Sequence, residues 1–207
     1  MCYLEAVRYF PVELDVAGRE VLVIGASGEV VPKIERLLDA GARVLVLATG
    51  SVDDLVERWV MEGRVRLERR EAQIADVDGK ALVFVATTDA DRAPPFYERA
   101  LAEARLLCTV DRPELSTFIN PAVVRASGLT IAFGSGGTAP GALRRIREDL
   151  EALFSDPRFE RFLGALGKLR AQLPRGERAQ KMAEAVRGFG INAVLRFPAW
   201  LDDQGSP

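Results

Sequence analysis

The chain has 207 residues, of which 48% are hydrophobic and 28% are charged, a composition typical of a globular protein with one or two domains. Its net charge of -2 argues against general affinity for nucleic acid, and no apolar run approaches the ~18 residues of a membrane helix. The sequence contains no histidine, which excludes Ser-His-Asp catalysis, Cys-His catalysis and histidine metal sites. Any proton transfer must use a carboxylate, lysine, tyrosine, cysteine or water.

The two cysteines, Cys2 and Cys108, lie far apart in the sequence. They predict a reduced protein without a disulfide or a cysteine zinc site. The first ten residues contain Glu5 and lack the apolar core of a signal peptide. We therefore expect a cytoplasmic protein with no resident metal.

The first predicted elements form a β-α-β unit with glycine at its first turn. Residues 21–24 (V-L-V-I) predict a buried strand, Gly25 and Gly28 follow, and an amphipathic helical pattern ends at Gly41. A second apolar strand is predicted at 44–47. This arrangement places phosphate groups on a helix N-terminus, so it favours a nucleotide site.

The glycine spacing of this turn leaves a second interpretation open. A dinucleotide turn usually has the pattern G-x-G-x-x-G/A, whereas Ser27 and Val30 occupy its second and third positions here. The chain has a G-x-x-G variant instead. An α/β protein that merely has a glycine in its first turn would also fit.

Strands and helices continue to alternate up to about residue 112, which predicts a doubly wound parallel α/β sheet. The predicted elements are a helix at 51–62 with Ser51 as a possible cap, an edge strand at 64–68, a buried strand at 81–86, a helix at 94–104 and a buried strand at 106–110.

Candidate site residues follow three of these strands, at the sheet edge where such folds bind ligands, and they are Gly25, Thr87 and Asp111. Asp111 is the first candidate for acid–base chemistry, and the turn at Arg112-Pro113 would expose it. An aspartate that only caps a turn is the alternative. Thr87 and Thr88 could line a cofactor cleft or cap the next helix.

The second predicted strand ends without the acidic residue that commonly binds the cofactor ribose. Its end reads L-A-T-G-S (47–51), and Asp53 and Asp54 could lie in the first turn of a helix. The sequence therefore does not distinguish NAD from NADP. The predicted cofactor-binding residues are Gly25, Ala26, Ser27, Gly28, Glu29, Val30, Thr49, Thr87 and Thr88.

Beyond residue 112 the pattern predicts one strand, one flexible loop and several helices. The strand covers 129–133, the loop G-S-G-G-T-A-P covers 134–140, and a charged helix covers 142–154. Helical spacing dominates from 155 onward, with a break at Pro174, a second helix at 176–187 and a disordered tail at 202–207.

The glycine-rich loop offers backbone amides and hydroxyl groups with little steric bulk, which suits an anion or a flat ligand. The alternative is a strand-to-helix turn with Thr138 as the cap. Nearby arginines would suit a substrate with several carboxylates, or they could form a solvated helix face. The predicted substrate-binding residues are Ser135, Gly136, Gly137, Thr138, Arg125 and Arg144, and Arg145 and Arg147 extend the basic group.

The order of these motifs resembles the precorrin-2 dehydrogenase/sirohydrochlorin ferrochelatase family, the N-terminal module of siroheme synthase, over about residues 8–155. The matching stretches are Y-F-P-V-E-L-D-V-A-G-R-E-V-L-V-I-G (9–25), K-I-E-R-L-L-D-A-G-A-R-V (33–44), V-F-V-A-T-T-D (83–89), V-D-R-P-E-L-S-T-F-I-N-P-A (110–122) and L-T-I-A-F-G-S-G-G-T-A-P (129–140).

The resemblance implies NAD⁺-dependent oxidation of precorrin-2 to sirohydrochlorin, with insertion of ferrous iron in some members. The key aspartate of the family maps onto Asp111, and its cleft serine maps onto Ser135. The implied organisation is a Rossmann-like dinucleotide-binding domain (1–112), a small α+β dimerisation region (113–150) and a helical C-terminal domain (151–207). The implied assembly is a homodimer.

The chain departs from the family pattern at the dinucleotide turn, where G-A-S-G-E-V replaces the usual G-G-G-x-x-A. Val30 is expected to push the helix away from the strand, or Ser27 to crowd the pyrophosphate. A chelatase that inserts Fe²⁺ or Co²⁺ without NAD, or a non-catalytic tetrapyrrole-binding protein, is therefore an alternative to the dehydrogenase. A generic NAD-dependent dehydrogenase fits less well, because the segment after Asp111 does not resemble a usual substrate domain.

Overall fold

A computed structural model describes residues 9–86, 92–136 and 138–204. The chain forms two compact units, one of Met1–Val123 with Ala132–Ile146 and one of Val124–Ile131 with Arg147–Pro207. The first unit contains the predicted nucleotide-binding elements.

The first unit is built on a five-stranded parallel sheet with the order β3-β2-β1-β4-β5. Ile24 pairs with both Leu47 and Val85, so β1, β2 and β4 end level at one edge of the sheet. The predicted doubly wound α/β fold is confirmed. The strands are β1 (Glu20–Ile24), β2 (Arg43–Leu47), β3 (Val65–Glu68), β4 (Leu82–Val85) and β5 (Leu107–Thr109).

Helices cover both faces of this sheet. On one face α1 (Val31–Asp39) and α2 (Asp54–Met61) pack against Val21 and the other side chains that point the same way. On the opposite face α3 (Ala93–Ala102) and a 3-10 turn (Ile74–Val77) pack against Leu22 and its neighbours. Because both faces are buried, the central strands are apolar at nearly every position, which is why they read as continuous runs in the sequence.

The cap of α2 is Asp53, and the prediction of Ser51 was wrong. The Asp53 carboxylate accepts a hydrogen bond from the backbone N–H of Leu55 at 2.9 Å. Asp54 is the first helical residue. The helix begins at this point because a carboxylate both satisfies an otherwise unpaired N–H and complements the helix dipole.

Replacing Asp53 by alanine is expected to lower the free energy of unfolding by about 1 kcal/mol, since the cap hydrogen bond is lost. Ser51→Ala is the matched control and should change stability by less than about 0.5 kcal/mol. Urea unfolding followed by circular dichroism measures both variants. Equal losses in the two would show that Asp53 does not cap the helix.

The link between β3 and β4 is held by an ion pair rather than by a long helix. Two nitrogens of Arg70 donate to the Asp76 carboxylate, each at 2.7 Å, and the backbone N–H of Gln73 donates to the same carboxylate. The Arg70 guanidinium first, and then the Gln73 N–H, hold the pKa of Asp76 below its usual range. Charged Asp76 therefore stabilises this link.

Asp76→Asn is expected to lower the urea midpoint at pH 7 and to have little effect in acid. The pKa of Asp76 is lower in the folded protein than in the unfolded chain, where it is about 4. Its ion pair therefore contributes fully to the free energy of unfolding above pH ~4, and this contribution is lost as the pH falls through the folded-state pKa. Urea midpoints of wild type and variant from pH 7 to pH 2 test this. Glu71→Gln, at a side chain that is 71% exposed, is the control. A wild-type-to-variant difference that stays constant with pH would contradict the assignment.

Beyond β5 the chain forms a hairpin and three helices. The hairpin consists of β6 (Ala122–Ala126), which the sequence pattern did not indicate, and β7 (Leu129–Phe133). The helices are α4 (Pro140–Leu153), α5 (Pro157–Gln172) and α6 (Arg178–Ala185). The predicted break at Pro174 is confirmed.

The end of the chain differs in part from its prediction. Ala199–Gln204 form a 3-10 helix, so a disordered tail from 202 was wrong for residues 202–204. Residues 205–207 lie outside the described part. Among the described residues, no helix combines the length and apolarity needed to cross a bilayer.

Candidate active site

The glycine turn after β1 lies where three strands end together. Gly25 has a φ of +110°, and its N–H donates to the carbonyl of Leu47 at 2.8 Å. A Cβ at this position would lie 2.5 Å from the backbone oxygen of Ala86. Glycine is therefore required here both by the backbone conformation and by the close approach of the neighbouring strand.

Of the five residues that follow Gly25, the first and last are buried and the three between them are exposed. Ala26 and Val30 are buried, whereas Ser27, Gly28 and Glu29 are exposed. Gly28 has a φ of +65°, and a Cβ built on it would meet no atom within 4 Å. The exposed backbone of this turn is the part that could contact a phosphate group.

Val30 is fully buried and ends a 3-10 turn at the start of the helix. A 3-10 turn (Gly28–Val30) precedes α1, and the Val31 N–H donates to the Gly28 carbonyl. Pro32 stands in the first turn of α1 and has no N–H to offer a ligand. The first backbone hydrogen bond of this helix start joins residues three apart, whereas those of a regular α-helix join residues four apart.

The end of β2 carries no carboxylate that is available to a ribose. Thr49 is exposed there, while the Asp53 carboxylate caps α2. The Asp53 N–H donates to the carbonyl of Ala26 at 2.9 Å, which ties the start of α2 to the glycine turn. Thr87 and Thr88, predicted to line the cofactor cleft, lie outside the described residues.

Asp111 occupies a turn directly after β5. Its φ is +58°, in the left-handed region, and its side chain is exposed. The N–H of Arg112 donates to the Thr109 carbonyl at 3.2 Å and closes the turn. Aspartate tolerates this conformation better than most residues, and such backbone outliers concentrate at functional sites.

Two buried hydroxyl groups, which were not among the predicted site residues, hold the Asp111 turn in place. The Ser116 hydroxyl accepts from the Thr109 N–H at 2.9 Å and donates to the Arg112 carbonyl at 2.8 Å. The Thr109 hydroxyl donates to the Leu115 carbonyl at 2.7 Å. A signal was present in the sequence, since hydroxyl residues flank Asp111 on both sides of a proline turn.

A cavity of about 320 Å³ joins Asp111 to the glycine-rich loop. Its volume lies at the lower end of the range for small-molecule sites. Asp111, Ser135 and Gly136, predicted from separate stretches of the sequence, therefore line one cavity. Other lining residues include Tyr9, Lys33, Cys108, Ser116 and Asn120.

A larger cavity of about 430 Å³ lies at the opposite end of the strands, where Glu20 and Arg43 begin β1 and β2. Parallel sheets of this kind bind ligands beyond the carboxyl ends of their strands. The Asp111 cavity lies at those carboxyl ends and is therefore the candidate active site.

The hydroxyl groups of Ser135 and Thr138 both form hydrogen bonds within the glycine-rich loop. The Ser135 hydroxyl accepts from the Ala139 N–H at 3.0 Å, and the Thr138 hydroxyl donates to the Ser135 carbonyl at 2.7 Å. Gly136 has a φ of +64° and is exposed. Gly137 lies outside the described residues.

The predicted arginines do not line this cavity. Arg144 is exposed on α4, and Arg125 is exposed on β6. Their contact with a substrate stays a prediction, as does that of Thr138. Burial raises the pKa of the Cys108 thiol, so the cavity presents a neutral sulfur rather than a thiolate.

No group of three or more aspartate, glutamate or cysteine side chains among the described residues is arranged to hold a metal ion.

A family model described as "Putative NAD(P)-binding" matches residues 12–122, more than half of the chain. The chain belongs to this family. The matched region begins before β1 and ends at β6, so it contains the glycine turn and Asp111.

The chain is also similar to curated siroheme synthases. It is 38% identical to that of Pseudoalteromonas atlantica over 146 residues, which cover 70% of this chain and 31% of that protein. It is 37% identical to that of Gluconacetobacter diazotrophicus over 151 residues, 70% of this chain and 32% of that protein. The chain thus spans about a third of the length of these relatives.

Among solved structures, the chain is similar to "SirC, precorrin-2 dehydrogenase", with a TM-score of 0.74 and 22% sequence identity over 87% of this chain and 90% of that one. This likeness shows the fold. Together these comparisons confirm the resemblance that the motifs predicted.

Proposed function

We propose that this protein oxidises precorrin-2 to sirohydrochlorin with NAD⁺. The observation that carries the proposal is the single cavity lined by Asp111, Ser135 and Gly136, at the sheet edge where the glycine turn also lies. The similarity to siroheme synthases and the NAD(P)-binding family support it.

The exposed backbone of Ser27, Gly28 and Glu29 fits the pyrophosphate of a dinucleotide, because open space lies over Gly28. Thr49, at the end of β2, lies where the ribose is held in such folds. Residues 48–52 (A-T-G-S-V) contain neither a carboxylate for the ribose of NAD nor an arginine for the 2′-phosphate of NADP, so the choice of NAD rests on the family resemblance. The bound nicotinamide would supply the hydride acceptor.

In this mechanism Asp111 accepts the proton that substrate oxidation releases. The turn fixed by Thr109 and Ser116 presents its carboxylate to the cavity, and Ser135 and Gly136 offer polar groups to the macrocycle. With no histidine in the chain, Asp111 is the carboxylate best placed for this transfer. The remainder of the rate enhancement comes from orientation of the ring carbon against the nicotinamide.

Calorimetric titration of the purified protein with NAD⁺ and NADP⁺ tests the cofactor assignment. We expect NAD⁺ to bind with a dissociation constant between micromolar and sub-millimolar values and NADP⁺ to bind more weakly. Absence of NAD⁺ binding at millimolar concentration would show that the 3-10 turn has closed the site.

The altered helix start favours one second candidate, a chelatase that works without NAD. The 3-10 turn and Pro32 reduce the backbone N–H groups that the first helical turn can offer. Such a protein would insert Fe²⁺ or Co²⁺ as substrate into sirohydrochlorin, with Asp111 accepting pyrrole protons. Metal insertion by a protein that binds no NAD⁺ would support this candidate over the dehydrogenase.

We also propose a homodimer in the cytoplasm, with residues 113–150 at the dimer interface. The family resemblance supports this interface. Separately, apolar side chains near the end of the second unit are exposed, and a covering protein surface would remove them from water. These include Phe189, Ile191, Val194, Leu195, Phe197 and Trp200. Size-exclusion chromatography with light scattering would give the mass of a dimer, whereas a monomer mass at micromolar concentration would contradict it.

A further inference from the structure

Lys33 brings a positive charge into the cavity that holds Asp111. It stands in the first turns of α1, the helix that follows the glycine turn, and its side chain lines the cavity. Its ammonium group donates to the backbone carbonyl of Glu29 at 3.1 Å. An ammonium group has three N–H donors, so this contact leaves two for a ligand.

Lys33 and Asp111 both lie close enough to Cys108 to change the pKa of its thiol. Burial raises the pKa of the Cys108 thiol, the Lys33 charge opposes that shift, and the Asp111 charge adds to it. The thiol therefore lies within electrostatic reach of both side chains.

Lys33 has no acidic partner among the described residues, in contrast to the other cation of the cavity. Arg112 forms an ion pair with Glu114, which neutralises its charge. The contact of Lys33 is with a neutral carbonyl. An uncompensated cation in a half-buried position is placed to attract an anion.

We propose that Lys33 is a positioning residue that binds a carboxylate side chain of the tetrapyrrole substrate. This inference rests on the proposed function. Lys33 lines the cavity with Asp111 and Ser135, so the ligand we propose is a carboxylate of the molecule that this cavity holds. The ion pair would hold the macrocycle with its reacting carbon toward Asp111.

Lys33→Met tests the inference, because methionine preserves much of the side-chain length and removes the charge. We expect about a tenfold or larger rise in the KM for precorrin-2, a smaller change in kcat, and partial recovery in Lys33→Arg. Arg36→Met, which removes an exposed charge from the same helix outside the cavity, is the matched control and should retain the wild-type KM.

A binding measurement gives a readout that is independent of turnover. Fluorescence titration with uroporphyrin, a polycarboxylate macrocycle, should show about tenfold weaker binding to Lys33→Met than to wild type. Calorimetry with NAD⁺ should give equal affinities for the two proteins. Thermal unfolding midpoints close to that of wild type would establish that the variants are folded.

The outcomes separate this inference from the proposed function. Wild-type turnover together with unchanged KM and uroporphyrin affinity in Lys33→Met would overturn the role of Lys33 alone. Loss of NAD⁺ affinity with retained uroporphyrin affinity would overturn it too, since Lys33 would then serve the dinucleotide. A wild-type protein that neither binds uroporphyrin nor converts precorrin-2 would overturn the proposed function and this inference with it.

Discussion

Asp111→Asn is expected to lower kcat by about 10²–10⁴-fold, the range for removal of a general acid or base. Asparagine is the sharpest replacement because it adopts the left-handed conformation that Asp111 has, at φ +58°, and keeps the shape of the side chain. Asp111→Ala should lose turnover equally, with about 1 kcal/mol of additional destabilisation from the positive φ. The rate of sirohydrochlorin formation at saturating substrate measures the effect.

Glu114→Gln is the control for Asp111→Asn. Glu114 is a neighbouring carboxylate that pairs with Arg112 and is absent from the lining of the cavity. Its replacement should retain most of the wild-type kcat. Full activity in Asp111→Asn, or equal losses in the two variants, would remove Asp111 from the mechanism.

Gly25→Ala is expected to lower the free energy of unfolding by about 2–5 kcal/mol. Two costs add at this position, a positive φ of +110° and a Cβ that would lie 2.5 Å from the Ala86 backbone oxygen. The clash is with the backbone that directly follows β4, so no side chain can move aside to relieve it. Chemical denaturation at pH 7 gives the difference from wild type.

Gly18→Ala separates the two costs. Gly18 has a φ of +68°, and a Cβ there would meet no atom within 4 Å, so its replacement carries the conformational cost alone. We expect a loss of about 1 kcal/mol. If Gly25→Ala were no more destabilising than Gly18→Ala, the Ala86 backbone oxygen would not lie as close to Gly25 as 2.5 Å from its added Cβ.

The sheet could be predicted from the sequence because burial on both faces leaves a continuous apolar run in each central strand. The runs at 21–24 and 81–86 became β1 and β4, the central pair, and the alternating run at 64–68 became the edge strand β3. The strand β6 was not predicted. Its residues A-V-V-R-A sit in a two-stranded hairpin, where half-burial leaves neither a clean alternation nor a long apolar run.

The local motifs identified several residues of the candidate site, but they did not give the distances between those residues. Asp111 and Ser135 stood out through their local motifs, but only the family resemblance implied that they face one substrate, because contacts between distant segments leave no local pattern. Lys33 was missed since a lysine on an amphipathic helix is ordinarily a solvated residue. Its proposed role depends on a cavity formed by segments that are distant in the sequence.

Anaerobic incubation of the purified wild-type protein with precorrin-2 and NAD⁺, followed by absorbance spectra over time, tests the proposed oxidation. We expect sirohydrochlorin and NADH to appear together in equal amounts, and neither to form without NAD⁺. Precorrin-2 that stays unchanged in the presence of the enzyme and millimolar NAD⁺ would contradict it.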